Sequence, residues 1–179
     1  MDAKYFPIEI EEKWSKVWAE RELNKPESEQ NFSQIIPPPN VTGTLHMGHS
    51  FQYAIMDFYT RYHHMNGLDS YWQVGTDHAG IATQMVVENN LANEGKDKND
   101  LGIEKFLEEV WKWKDYSEEK ITSQIKRLGR TVEWDKYRFT FDDDFCEAVN
   151  KAFVELYRNE KIYRGYRLVN WDPSLKTAV

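Results

Sequence analysis

Three consecutive prolines at positions 37 to 39 constrain this chain more than any other feature, because they decide where its first strand must stop. The run Phe32-Ser33-Gln34-Ile35-Ile36 has the apolar content to enter a sheet. Proline has no backbone N–H, so Pro37, Pro38 and Pro39 cannot continue that strand's ladder. The chain leaves the sheet there and enters Asn40-Val-Thr-Gly-Thr-Leu-His-Met-Gly-His49, a glycine-bearing loop. From about His46 apolar residues recur at Phe51, Ala54, Ile55, Phe58, Tyr59 and Tyr62, the spacing of an amphipathic helix that runs to about Met65. His46 and His49, three apart, therefore share one face of its first turn. A helix N-terminus presents N–H groups and the positive end of the macrodipole, an anion site to which two imidazoles add donors. Gly43 and Gly48 permit close backbone approach or φ values that other residues avoid. A nucleotide phosphate fits such a site.

The rest of the chain places this segment in a parallel α/β arrangement. Asn66-Gly67 is a helix stop, and Ser70 to Val74 reads as a second strand. Strand, helix, strand at this spacing predicts a right-handed parallel crossover, with a further helix from about Ala79 to Ala92 returning along the sheet. This is the first half of a Rossmann-type parallel sheet. Ahead of it, Ile8 to Leu23 predicts an N-terminal helix with Ile10, Trp14, Val17 and Trp18 as its apolar stripe. Behind it, Gly95 to Gly102 is a polar connector, and additional helices are predicted from about Ile103 to Leu128 and Asp143 to Asn159. Arg164 to Asn170 is read as a strand. No repeat, low-complexity tract or flexible linker interrupts residues 1–179, so a single domain is expected.

Composition excludes several classes of function. The 30 acidic and 23 basic residues leave a formal charge of −7, a poor footprint for a surface whose main task is gripping nucleic acid. The one cysteine, Cys146, permits neither an internal disulfide nor a cysteine-built zinc site and reads as a helix core residue. The start, Met-Asp-Ala-Lys-Tyr-Phe-Pro, lacks the basic and apolar regions of a signal peptide, and no apolar run is long enough to span a bilayer. A cytoplasmic location with no membrane partner is the expectation.

Each chemical reading has a bland competitor. His46 and His49 could only cap a helix; with His78 they could instead form a metal-ligand set, although no recognisable spacing supplies further ligands. Gly43-Thr-Leu-His-Met-Gly48-His49-Ser50 also imitates the spacing of a P-loop, with histidine where that motif needs a charged lysine. A P-loop-like NTPase and a non-catalytic nucleotide- or amino-acid-binding module are thus the alternatives. Thr42 and Thr44 are ordinary turn residues by type. The tryptophans at 14, 18, 72, 111, 113 and 134 are expected to pack the core or an adjoining domain. Lys126, Arg127, Arg130, Lys136 and Arg138 form a loosely basic stretch, either a solvated face or a local nucleic-acid contact.

The proline-to-histidine string resembles the first signature of class I aminoacyl-tRNA synthetases. Gly75-Thr-Asp-His-Ala-Gly-Ile-Ala-Thr-Gln-Met85 is similar to the corresponding segment of the valine-activating members, and Arg167-Leu-Val-Asn-Trp-Asp-Pro173 resembles the strand that precedes their inserted editing domain. The three strings fall in the family's order and bracket most of the chain. The resemblance implies the first half of a synthetase catalytic domain that activates L-valine with ATP and Mg2+ and passes it to tRNA(Val), with no protein-bound zinc. His46 and His49 would be catalytic and, with Thr44 and Gly48, would bind ATP. Asp77, at a strand end on the sheet edge where such folds bind ligands, would pair with the valine ammonium beside Asn40 and the Pro37 and Pro38 carbonyls. The competing role for Asp77 is an ordinary helix N-cap. By the same resemblance the editing domain would begin soon after Val179, and the second signature and the anticodon-binding domain would also lie outside this chain. The complete enzyme is expected to be monomeric, and the isolated 179 residues to be inactive and prone to self-association. Val74 departs from the family's usual proline, restoring an N–H that could lengthen the strand.

Overall fold

In a computed structural model, which describes residues 4–21, 31–128, 132–174 and 176–178, the prolines interrupt the first parallel pairing without ending it. β1 (Asn31–Ile35) pairs in parallel with β2 (Asp69–Gln73), Asn31 opposite Asp69 and Ile35 opposite Gln73. One further bond, from the Ile36 N–H to the Gln73 carbonyl at 2.9 Å, precedes Pro37. Proline lacks the donor but keeps the acceptor, and the Pro39 carbonyl takes the Asp77 N–H at 2.9 Å. The Val41 N–H then bonds to the Asp77 carbonyl at 2.9 Å, so Asn40 and Asp77 form an isolated parallel bridge. The loop after the prolines is thereby pinned to the end of the second strand.

α2 (Met47–Met65) connects β1 to β2 as the spacing predicted, and its Tyr53 and Thr60 are buried. Beyond Gln73 the extended chain continues through buried Val74 into β3 (Gly75–Thr76) and changes partner. β3 pairs in parallel with β4 (Arg138–Phe139), and bonds from the Arg138 N–H to the Val74 carbonyl and from the Thr140 N–H to the Thr76 carbonyl flank it at 3.2 and 3.1 Å. The approach is close: a Cβ on Gly75 would run into the Arg138 carbonyl oxygen, so only glycine fits. The second strand thus ends at Gln73, a separate two-residue strand begins at Gly75, and β4 is an addition that no local pattern announces.

The core gathers Ile36, Tyr53, Trp72 and Val74 against Ile121, Ile125 and Val132. Ile121 and Ile125 belong to α5 (Ile103–Arg127), where buried Ser117, Ile121 and Ile125 recur every fourth residue along one stripe. α3 (Gly80–Asn93) buries Val87 and Leu91 and packs on α5, and the polar connector contains a single short helix, α4 (Lys98–Leu101). α1 (Pro7–Arg21) also touches α5, where the Arg127 guanidinium meets Glu11 at 2.7 Å. The last residues of the predicted N-terminal helix, 22 and 23, and Arg130 lie outside the described residues.

The chain divides into two compact units, residues 1–141 and 142–179. The second contains α6 (Asp143–Arg158) and a hairpin of β5 (Trp171–Asp172) and β6 (Thr177–Ala178), with Trp171 opposite Ala178. The predicted strand from Arg164 to Asn170 is not present. That segment is exposed throughout, with Leu168 fully exposed, and a strand without a partner ladder has nothing to satisfy its backbone. Among the described residues no helix is long and apolar enough to cross a membrane.

Candidate functional site

His46 is the N-cap of α2 and His49 its third residue. The His46 Nδ1 accepts the Gly48 N–H at 3.1 Å, and the His49 Nδ1 accepts the His46 N–H at 3.2 Å, a capping box built from two imidazoles. The rings lie against each other with centroids 3.8 Å apart. Because each Nδ1 is an acceptor, each neutral ring carries its proton on Nε2, which leaves two N–H donors for a ligand. Burial, followed by the neighbouring His46 charge, pushes the His49 pKa below the usual histidine value, so its neutral form is favoured. The bland reading is therefore half right. Both histidines do cap the helix, and capping is what fixes their tautomers.

Gly48 serves this pair directly. A Cβ there would lie 2.9 Å from the His46 Cε1, so any side chain displaces the ring. Gly43 has an ordinary φ and nothing within 4 Å of the place a Cβ would occupy, which leaves open space on that side of its backbone. His49 stands where a P-loop would place lysine, and there it accepts a backbone N–H, which an ammonium group cannot do.

The histidines line a cavity of about 350 Å³ together with Pro38, Asn40, Thr44 and Ile121. Thr42 and Gly43 also border it. Pro37 does not; its carbonyl accepts the hydroxyl of buried Tyr53 at 3.4 Å. Asp77 lies outside that lining and is joined to it by the bridge to Asn40. Its Oδ1 accepts the Ala79 N–H at 3.0 Å and the Thr140 hydroxyl at 3.1 Å, and among the described residues Oδ2 has no partner. The N-cap of α3 is Ala79, in the left-handed region at φ 40°, and not Asp77. Asp77 holds the turn before the helix and keeps one oxygen and more than a third of its side-chain surface open.

Three residues of α5 that patterning placed in the core or passed over hold the signature loop. Trp113 donates its Nε1–H to the Val41 carbonyl at 2.9 Å, Ser117 its hydroxyl to the Gly43 carbonyl at 3.0 Å, and the Gln124 Oε1 accepts the Leu45 N–H at 2.9 Å. With Ile121 between them they occupy one face of the helix and engage alternate residues of the loop. The only trace in the sequence is two small or polar residues on an otherwise apolar stripe.

The basic residues are engaged nearby: Lys126 lies over the Trp134 ring at 4.7 Å and Lys136 pairs with Glu133 at 2.7 Å. His78 does not join the histidine pair; its Nδ1 is 2.7 Å from the Thr140 hydroxyl. Among the described residues no group of three or more His, Cys, Asp or Glu could hold a metal ion.

Comparison with known proteins gives the family and the fold. The family model described as tRNA synthetases class I (I, L, M and V) matches residues 9–179. The chain is similar to a valine–tRNA ligase of Acinetobacter baylyi, 54% identical over 98% of this chain and 18% of that protein. In fold it is similar to a LeuRS of Agrobacterium radiobacter K84 solved as a ternary complex with tRNA and LeuAMS, with a TM-score of 0.74, 22% identity, and 98% of this chain and 21% of that one covered. The chain spans about a fifth of the length of the relatives it matches.

Proposed function

The chain belongs to the class I tRNA synthetases of the I, L, M and V group, and on that premise we propose that it forms one wall of the valine-activating site of a valine–tRNA ligase. The observation that carries the reading is the adjacent pair His46 and His49, fixed as Nε2–H donors in the same cavity as Pro38 and Asn40. The similarity to a valine–tRNA ligase supports the choice of amino acid.

In this reading the valine carboxylate oxygen attacks the α-phosphorus of ATP. A bond from that oxygen to phosphorus forms as the bond to pyrophosphate breaks. Such transfer needs little covalent help from protein, so positioning and charge stabilisation set the rate. His46 and His49 donate from Nε2 to phosphate oxygens as negative charge moves toward the leaving group. The open space at Gly43 and the exposed backbone at Thr44 and Gly48 admit the nucleotide. Asp77 Oδ2 pairs with the valine ammonium, with Asn40 and the Pro38 carbonyl beside it. Magnesium arrives on the ATP phosphates. The aminoacyl group then passes to tRNA(Val), which requires parts of the enzyme other than these residues.

Valine-dependent ATP–pyrophosphate exchange by the complete polypeptide is the test. Exchange with valine in preference to isoleucine and leucine is expected. ATP hydrolysis independent of valine, without exchange, would overturn the proposal.

A further inference from the structure

We infer that Thr140 is the positioning residue for Asp77, and that its hydroxyl sets how the carboxylate meets the ammonium group of the amino acid; this rests on the ammonium-binding role proposed for Asp77. Thr140 lies 63 residues from Asp77 in sequence and carries no motif of its own. It is brought there by the β3–β4 pairing, in which the Thr140 N–H bonds to the Thr76 carbonyl at 3.1 Å. Phe139 beside it is 6% exposed and lies under the Lys114 ammonium at 4.6 Å. Phe139 faces the interior, so strand alternation turns Thr140 the other way.

Among the described residues three polar groups surround its hydroxyl, and their chemistry sets the direction of each bond. A threonine hydroxyl has one proton to give and two lone pairs to accept with. The proton goes to Asp77 Oδ1 at 3.1 Å, the only one of the three neighbouring groups that cannot donate. The His78 backbone N–H takes one lone pair at 3.0 Å, and the His78 Nδ1, 2.7 Å away, takes the other. His78 must then carry its proton on Nδ1, the opposite tautomer to His46 and His49. Its ring is held in place by Phe141, with centroids 5.1 Å apart.

Asp77 consequently receives two donors, Thr140 O–H and Ala79 N–H, on the same oxygen. Two bonds to one oxygen from different directions prevent the carboxylate from rotating and present Oδ2 in one orientation. Without Thr140 the carboxylate keeps only the Ala79 N–H at 3.0 Å, with the His78 Nδ1 farther off at 3.5 Å. The ammonium then loses a pre-set partner, while the ATP side of the site, built on α2 and α5, is untouched.

The experiment is ATP–pyrophosphate exchange on the complete polypeptide with Thr140→Val, Thr140→Ser and Asp77→Asn measured together. Thr140→Val keeps the shape and removes the proton donor. It is expected to raise the KM for valine about tenfold, the scale of one hydrogen bond to a charged group. The KM for ATP should stay unchanged, and Thr140→Ser should restore the valine KM. Thr140→Ala, which removes the hydroxyl without a new methyl group, carries the same test if the valine variant misfolds. Equal loss in both KM values, no loss from Thr140→Val or Thr140→Ala, or failure of Thr140→Ser to rescue overturns the inference while a raised valine KM in Asp77→Asn leaves the ammonium role standing. An unchanged valine KM in Asp77→Asn overturns that role and the inference with it.

Discussion

His49 carries two loads at once, accepting the His46 N–H through Nδ1 and offering Nε2–H to a ligand, and substitution can separate them. His49→Ala removes both and is expected to lower the rate of valine-dependent exchange on the order of a hundredfold, the scale of one lost transition-state donor. Its effect on valine affinity should be far smaller; equal effects on both would argue against a transition-state role. His49→Asn places an acceptor near the position of Nδ1, so its melting temperature should stay near that of the parent while its exchange rate falls with His49→Ala. The depressed pKa of His49 also gives a signed pH dependence. As pH falls, the unfolded chain binds a proton at about 6.5, before the folded one does, so this contribution is full above about 6.5 and drains as pH drops toward the lowered folded value. Melting temperature measured from about pH 7.5 to 5.5 should fall more steeply for the parent than for His49→Asn. Gly48→Ala should behave as a His46 variant, because its methyl group would push that ring aside. A raised KM for ATP with an unchanged KM for valine is the expected result.

At the scale of elements, α5 is the holder of the signature loop. Removing the Ser117 hydroxyl (Ser117→Ala) or the Gln124 amide (Gln124→Ala) leaves a loop carbonyl or N–H without its partner, a cost of about 1–3 kcal/mol each. Both variants should lower exchange at fixed valine KM, and paired in a double-mutant cycle they should be non-additive, since they secure one five-residue loop. Additive effects would mean the loop has no common restraint. None of this was legible in the chain itself. The proline run, the α2 periodicity and the Asn66-Gly67 stop place β1, α2 and β2 because those signals are local. Trp113 looks like a core residue by composition, and its single polar atom, which reaches Val41, leaves no periodic trace. β4 was invisible for the same reason: two residues have no period, and their partner is at Gly75. The segment from Arg164 to Asn170 shows the converse error, strand-like composition with no ladder to join. Asp77 and Asn40 were legible as types, but the backbone bridge that joins them belongs to the sheet.

For the whole molecule, surface left uncovered matters most. α2 exposes Phe51, Ile55, Phe58, Tyr59 and Tyr62, and β1 has one hydrogen-bonding edge open among the described residues. An apolar helix face beside an open strand edge favours association. Residues 1–179 expressed alone are expected to self-associate, and a monodisperse monomer by light scattering would contradict this. The change of partner at Val74 reaches further, into the order in which the molecule can be made. A ribosome releases Asp77 sixty-three residues ahead of Thr140, and all of α5 emerges between them. During that interval the signature loop can meet β2, but the carboxylate has no second anchor. The amino-acid side of the site is therefore completed late in synthesis, by a long loop closure whose entropic cost must be met before the pairing of β3 with β4 repays it.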